Sequence, residues 1–192
     1  MTTVYYTHLD APVGPLLLTA DEDGALTSLS VPGQKGGRSV REDWRADPGP
    51  FRAAAEQLAA YFAGERTEFR LPLRASGTEF RRAVWAALDE VPYGTTATYG
   101  EIAARIGAAR AAVRAVGGAI GANPLLILRP CHRVIGANGA LTGYAGGLER
   151  KVRLLTLEGV LHPGTPVRPE GSPVRLAGTP SGPAYQPLGP AD

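Results

Sequence analysis

Three short apolar runs open the chain: Val4 to Leu9, Leu16 to Ala20 and, after the turn Asp21-Glu22-Asp23-Gly24, Ala25 to Val31. Runs of this length bounded by turn residues predict a small antiparallel sheet. The stretch from Pro32 to Pro50 carries Gly33, Gly36, Gly37, Pro48 and Gly49 without periodicity, and predicts a mobile loop. Phe51, Ala55, Leu58 and Phe62 then fall on one helical face that Gly64 is placed to end. Residues 1–73 thus read as a small α/β domain.

Helical spacing dominates the second half. Ser76, three residues before Glu79, resembles a capping box, and Phe80, Val84, Ala87 and Val91 form an apolar face that Pro92 and Gly94 interrupt. A short helix from Thr98 to Ile106 with Ile102 and Ile106 inward, a turn over Gly107 to Arg110, and a helix rich in Ala and Gly from Ala111 to Ala122 have the dimensions of a helix-turn-helix. A Gly-rich stretch and a final helix from Leu148 to Leu157, stopped by Gly159, complete a mostly α domain over 74–160. Residues 161–192 hold eight prolines and five glycines with almost no aliphatic pattern, and predict a disordered tail.

Composition narrows the class of protein. The chain is 44% hydrophobic over 192 residues, enough for a core in one or two domains. A single cysteine excludes an internal disulfide, and His8, His132 and His162 are too scattered for a zinc site, so no metal is expected. The N-terminus lacks the regions of a signal peptide and no apolar run approaches the ~18 residues of a membrane span, so a cytoplasmic protein is expected. The net charge is +2, but residues 77–160 carry 10 basic and 6 acidic side chains against 8 and 10 over residues 1–76. The basic excess therefore accompanies the cysteine, a weak pointer to a polyanionic partner.

That cysteine stands in Pro130-Cys131-His132-Arg133-Val134. A thiol with an ordinary pKa of about 8.5 is mostly protonated at neutral pH and needs a base or a positive neighbour to act as a nucleophile. His132 is the local candidate. Read in isolation, Cys131 is more often a small buried hydrophobe and His132 more often a structural hydrogen-bonding residue.

The wider pattern resembles the O6-alkylguanine-DNA alkyltransferases, the methylated-DNA–protein-cysteine methyltransferases. The shared text runs through Thr98-Tyr99-Gly100-Glu101-Ile102-Ala103, Val113-Arg114-Ala115-Val116-Gly117-Gly118-Ala119 and Asn123-Pro124 to the Pro130-Cys131 motif, then Gly143-Tyr144, Gly146-Gly147-Leu148, Lys151 and Leu157-Glu158-Gly159. The resemblance implies an RNase H-like N-terminal domain and a winged helix-turn-helix in the second. It implies a cofactor-free, single-use transfer of the alkyl group from O6-alkylguanine in double-stranded DNA to Cys131, with O4-alkylthymine a lesser substrate. The protein would work as a monomer, with cooperation along DNA left open.

By the same resemblance, His132 accepts the thiol proton through a water, Glu158 orients His132, and Tyr99 donates to the departing base. Arg114 takes the place of the nucleotide rotated out of the stack, and the small side chains of its helix, Ala115 and Gly118 among them, let the backbone approach the minor groove. Asn123 bridges the turns before Pro130 and Cys131, Tyr144 walls the alkyl pocket, and the amides of Val134 and Ala145 are candidates to bond the base. Three departures stand out: the turn before Arg114 lacks a proline and is one residue longer, Ala145 replaces a serine of some members, and Arg129 replaces an aliphatic residue. Arg129 is expected either to reach a phosphate or to snorkel to solvent. Two other classes compete. A non-catalytic lesion-binding module is disfavoured by the presence of Cys131, and a sequence-reading regulator by the scarcity of Asn, Gln and Arg on 111–122.

Overall fold

The computed structural model describes residues 3–168 together with Gly171, Leu176 and Ala177. Strands β1 (Tyr5–Leu9), β2 (Leu16–Ala20) and β3 (Leu26–Ser30) pair antiparallel, with Thr7 opposite Leu18 and Leu18 opposite Leu29. The sheet is mixed rather than purely antiparallel, because β4 (Arg45–Ala46) joins its edge parallel to β1. This strand lies in the stretch expected to be a mobile loop. Pairing comes from outside the segment: Arg45 N donates to Val4 O at 2.9 Å and Asp47 N to Tyr6 O at 3.2 Å, partners that local composition does not reveal.

Helix α1 (Arg52–Phe62) covers the sheet after a 3-10 turn, Gly49–Phe51. Its buried face is Ala54, Leu58 and Tyr61, with Ala55 and Phe62 only half-buried, so the face is turned from the one expected. Tyr61 can face inward because its hydroxyl finds a partner there, described below. Helix α2 (Glu79–Asp89) is capped by Thr78, whose Oγ1 accepts from Arg81 N at 3.2 Å, and not by Ser76. Gly77 separates the two, and a Cβ there would lie 2.7 Å from the Trp85 ring. Val84, Trp85, Ala87 and Leu88 are buried, whereas Phe80 in the first turn overhangs the core and is 38% exposed.

Strand β5 (Ala97–Thr98) runs directly into α3 (Tyr99–Arg105). A complete capping box makes the junction: Thr98 Oγ1 accepts from Glu101 N at 3.2 Å and Glu101 Oε2 accepts from Thr98 N at 2.6 Å. Gly107, at φ 67, turns the chain, and the extra residue before Arg114 is absorbed in a 3-10 turn, Arg110–Ala112. Helix α4 (Val113–Gly121) follows, buried on Val116, Ala119 and Ile120 and tied to α2 by Trp85 Nε1 donating to Ala119 O at 2.9 Å. Strand β6 (Val134–Ile135) pairs parallel to β5, and α5 (Leu148–Leu157) closes the domain.

The two halves share one core, in which Leu18, Leu29 and Tyr61 pack together with Val84, Ile102, Val116 and Leu125. A smaller cluster joins Leu141, Val152 and Leu155 to Leu161, which bridges Leu176. The start of the expected tail is thus packed: Leu161 is buried and Ala177 N donates to Val160 O at 2.7 Å. Most of the disorder expected over 161–192 falls outside the described residues. Among the described residues no helix is long and apolar enough to cross a membrane.

Replacing Thr78 by Ala should cost about 1 kcal/mol of unfolding free energy in urea titration. Ser76→Ala should cost only a few tenths; the reverse order would restore Ser76 as the cap.

Candidate active site

Cys131 opens a 3-10 turn, Cys131–Arg133, that follows a contorted segment. Leu128 N donates to Leu126 O at 2.7 Å, a γ-turn with Ile127 at φ 69, the strained hand for a β-branched residue. A second γ-turn follows, in which Cys131 N donates to Arg129 O at 2.8 Å across Pro130 (φ −80, ψ 54). Asn123 holds both turns. Its Oδ1 accepts from Leu125 N at 3.0 Å, and its Nδ2 lies 3.1 Å from Arg129 O and 3.1 Å from Cys131 Sγ. The bridging geometry expected of Asn123 is present, and it reaches the sulfur as well.

Behind the thiol lies a buried charge network. Glu158 Oε1 is 2.8 Å from His132 Nε2 and accepts from Tyr61 OH at 2.7 Å, while Arg133 donates from Nε to Oε2 at 2.8 Å and from Nη2 to Oε1 at 2.9 Å. Burial pushes the Glu158 carboxyl up, but the hydrogen bonds and charges of His132 and Arg133 outweigh it and hold the group at about 2. An ionised carboxylate only accepts hydrogen bonds, so Nε2 of His132 carries a proton. Nδ1 is then the basic nitrogen, and it is buried with no hydrogen-bond partner among the described residues. Burial holds the imidazole below its usual range against the pull of Glu158, so His132 rests neutral at pH 7.

Burial also raises the Cys131 thiol, opposed by the Asn123 donor and by the charges of Lys151 and Arg129. The resting pair is therefore a neutral thiol beside a neutral imidazole. Tyr144 stands edge-on to His132 with ring centroids 6.5 Å apart, and burial pushes its phenol well above the usual range. Gly146 backs it: a Cβ there would lie 2.7 Å from the Tyr144 ring. Tyr99 is oriented by Thr142, whose Oγ1 donates to the phenol oxygen at 3.2 Å. Arg114, Ala115 and Gly118 are exposed together on one face of α4. Ala145 lies at the edge of the site, where its carbonyl accepts from Lys35 N at 3.3 Å.

Two expectations are corrected. The Val134 amide is committed to Cys131 O as the cap of the 3-10 turn, which takes away the donor expected to face a base. Arg129 neither reaches outward nor snorkels. It is 8% exposed, its Nε and Nη2 lie 3.0 and 3.3 Å from the Asp89 carboxylate, and its guanidinium stacks 5.4 Å from the Trp85 ring centroid. Asp89, at the end of α2, supplies the counter-charge that lets an arginine stand at an aliphatic position.

Sequence reasoning assigned no role to Tyr61, Arg133, Thr142, Arg150 or Lys151. Lys151 is wholly buried, donating to Val134 O at 2.6 Å and Thr142 O at 2.8 Å. Its position on the face of Leu148, Val152 and Leu155 was the available signal, since a lysine within an apolar stripe needs partners inside. Arg150 joins the halves, donating to Val13 O at 2.7 Å and Gly146 O at 2.8 Å.

A mixed sheet with a covering helix, followed by a helix-turn-helix and a lone thiol beside a buried His-Glu pair, defines a protein that places a cysteine next to a nucleic-acid-binding motif. Comparison with known families agrees: residues 4–75 match the 6-O-methylguanine DNA methyltransferase ribonuclease-like domain and residues 79–160 the DNA binding domain of the same family. The chain belongs to the 6-O-methylguanine DNA methyltransferase family. A methylated-DNA–protein-cysteine methyltransferase of Mycobacterium tuberculosis is 54% identical over 155 residues, 81% of this chain and 92% of that protein. One of Methanosarcina acetivorans is 51% identical over 156 residues, 81% of this chain and 99% of the relative. Among solved structures, M. tuberculosis OGT in complex with DNA superposes with a TM-score of 0.74 at 52% identity, covering 80% of this chain and 92% of that one. The O6-methylguanine-DNA methyltransferase of Pyrococcus kodakaraensis gives 0.55 at 25% identity, covering 82% of this chain and all of that one (100%).

Two measurements check this site. Because the Glu158 pKa is depressed, its contribution is present above the unfolded-state value of about 4.3 and is lost as pH falls toward 2. Acid unfolding of Glu158→Gln should therefore show a shallower loss of stability across that window than the parent; an identical slope would contradict the assignment. Asp89→Ala strands a buried guanidinium and should cost about 1.5–3 kcal/mol, most of it regained in Asp89→Ala/Arg129→Leu. No recovery in the double variant would show that the pair is not the reason.

Proposed function

We propose that this protein repairs DNA by moving the alkyl group of O6-alkylguanine irreversibly onto Cys131, once per molecule. The single observation that carries the reading is the lone thiol held by Asn123 Nδ2 at 3.1 Å beside His132, whose Nε2 proton is fixed by the ionised Glu158. That tautomer leaves Nδ1 as a base. Depression of the imidazole pKa by burial keeps it unprotonated at neutral pH and so ready to accept.

The sequence of events follows from the parts. The exposed stripe of α4 approaches the minor groove, Arg114 fills the stack, and the alkylated nucleotide rotates outward. His132 takes the thiol proton through an intervening water. The thiolate attacks the alkyl carbon, so that a sulfur–carbon bond forms as the carbon–oxygen bond breaks, and Tyr99 donates a proton toward the purine as its negative charge develops. Thr142, bonding the phenol oxygen, holds Tyr99 in place for this step. Nothing in the site offers a route to cleave the resulting thioether. The reaction draws on no cofactor, O4-alkylthymine presents a similar alkoxy group, and a free thiol suits a reducing cytoplasm.

A duplex bearing one O6-methylguanine, mixed with equimolar protein, should add a single methyl to the intact mass, on the peptide containing Cys131. Cys131→Ser should bind the lesion and gain nothing. An unmodified parent that still binds the lesion would make this a non-catalytic module. At saturating duplex the transfer rate should be flat through neutral pH and fall only below the ordinary histidine value of about 6.5, because the His132 pKa is lowered. A fall beginning above that value would exclude His132 as the base.

A further inference from the structure

A groove of about 610 Å³ lies outside the reacting centre, between the segment after β3 and the C-terminal half of α4. Lys35 and Arg38 line it from one side and Arg81 of α2 from another, while Gly117, Gly118 and Gly121 form the α4 wall. None of its lining residues is acidic. All three cationic side chains are exposed, and none is hydrogen-bonded or ion-paired among the described residues. Arg74, also exposed, is by contrast tied down by Asp21 and Asp23. Three unpaired cations from two separate segments converge here on a wall without side chains.

We infer that this groove seats the sugar-phosphate backbone of the DNA strand running past α4, with Lys35, Arg38 and Arg81 each meeting a phosphate. The inference rests on the DNA reading above and extends the contact surface to the N-terminal domain. Charge and shape both point to a polyanionic backbone. Glycines admit close approach of a bulky chain, and cations at the groove offset the partial negative charge that the C-terminus of α4 would present to a phosphate. The position fits as well. Gly121 follows Arg114 by seven residues, about 10 Å along the helix axis at 1.5 Å per residue. That is about three base-pair steps at 3.4 Å each, so the groove meets the same duplex at a neighbouring stretch of backbone. The segment before β4 thereby gains a function: Lys35 N donating to Ala145 O fastens it against the active-site loop while its side chain faces the groove.

Binding of the full chain to an unmodified fluorescent duplex, measured by anisotropy over a salt series, tests this. Neutralising three phosphates releases counterions with a slope of about 0.9 each, so Lys35→Ala/Arg38→Ala/Arg81→Ala should lower the magnitude of the log K against log salt slope by about 2.7. A fourfold rise in salt should then weaken the variant by about 40-fold less than the parent. Arg52→Ala/Arg66→Ala/Arg70→Ala, which removes equal charge outside the groove, should leave the slope unchanged. An unchanged slope in the groove variant, or an equal drop in the control, overturns the inference. Failure of the reading it rests on looks different: a parent that binds duplex with the steep slope but transfers no methyl loses the repair chemistry and keeps the groove, while a parent that binds no duplex loses both.

Discussion

An ionised carboxylate at the bottom of the molecule organises everything around it. Removing a charge from water costs several kcal/mol even after relaxation, so Glu158 is tolerable only because its oxygens are shared among His132, Arg133 and Tyr61. Each partner reaches it from a different element. Tyr61 comes from the helix covering the N-terminal sheet, His132 and Arg133 from the turn that carries the thiol, and Glu158 itself caps the last helix. The catalytic turn is therefore registered against both domains by electrostatic need. The tautomer of His132 follows from the same constraint. A fixed direction for the His132–Glu158 hydrogen bond is thus a consequence of how the core pays for one buried charge.

The segment preceding Cys131 shows a related economy. The first of two successive γ-turns holds a β-branched residue at φ 69, a conformation that a free chain would leave. Asn123 stabilises them by acting as a side-chain surrogate for backbone, bonding Leu125 N, Arg129 O and Sγ at once. From outside, Asp89 and Trp85 fix the side chain of Arg129. The sulfur is held from before and after, and this is what proximity catalysis requires of a nucleophile.

The N-terminal domain takes part in the site rather than accompanying it. Its β3 strand exchanges backbone bonds with the strained segment, Leu29 N to Pro124 O at 2.9 Å and Leu126 N to Leu29 O at 3.1 Å. Arg150 carries the connection to Val13, and Tyr61 completes the Glu158 shell. Two regions that match separate domain descriptions of one family are joined here by a single apolar core, so disturbance of the sheet is transmitted to the thiol.

Much of this was legible in the chain itself. The period of the apolar residues located α2 through α5, and a lone cysteine inside a motif spread over 80 residues pointed to the nucleophile, to His132, Glu158 and Asn123, and to the family. Those features are local, or lie in a fixed register along the chain, which is why they can be read without coordinates. What tertiary structure decided concerns partners distant in sequence. Tyr61 had no assigned role until it met a carboxylate 97 residues away, Arg129 looked out of place until Asp89 appeared 40 residues before it, and β4 was hidden in a Gly- and Pro-rich stretch because only β1 gives it something to pair with. Burial creates the demand for a partner, and the sequence specifies the group that is buried; only the folded chain determines which other group is near enough to answer it.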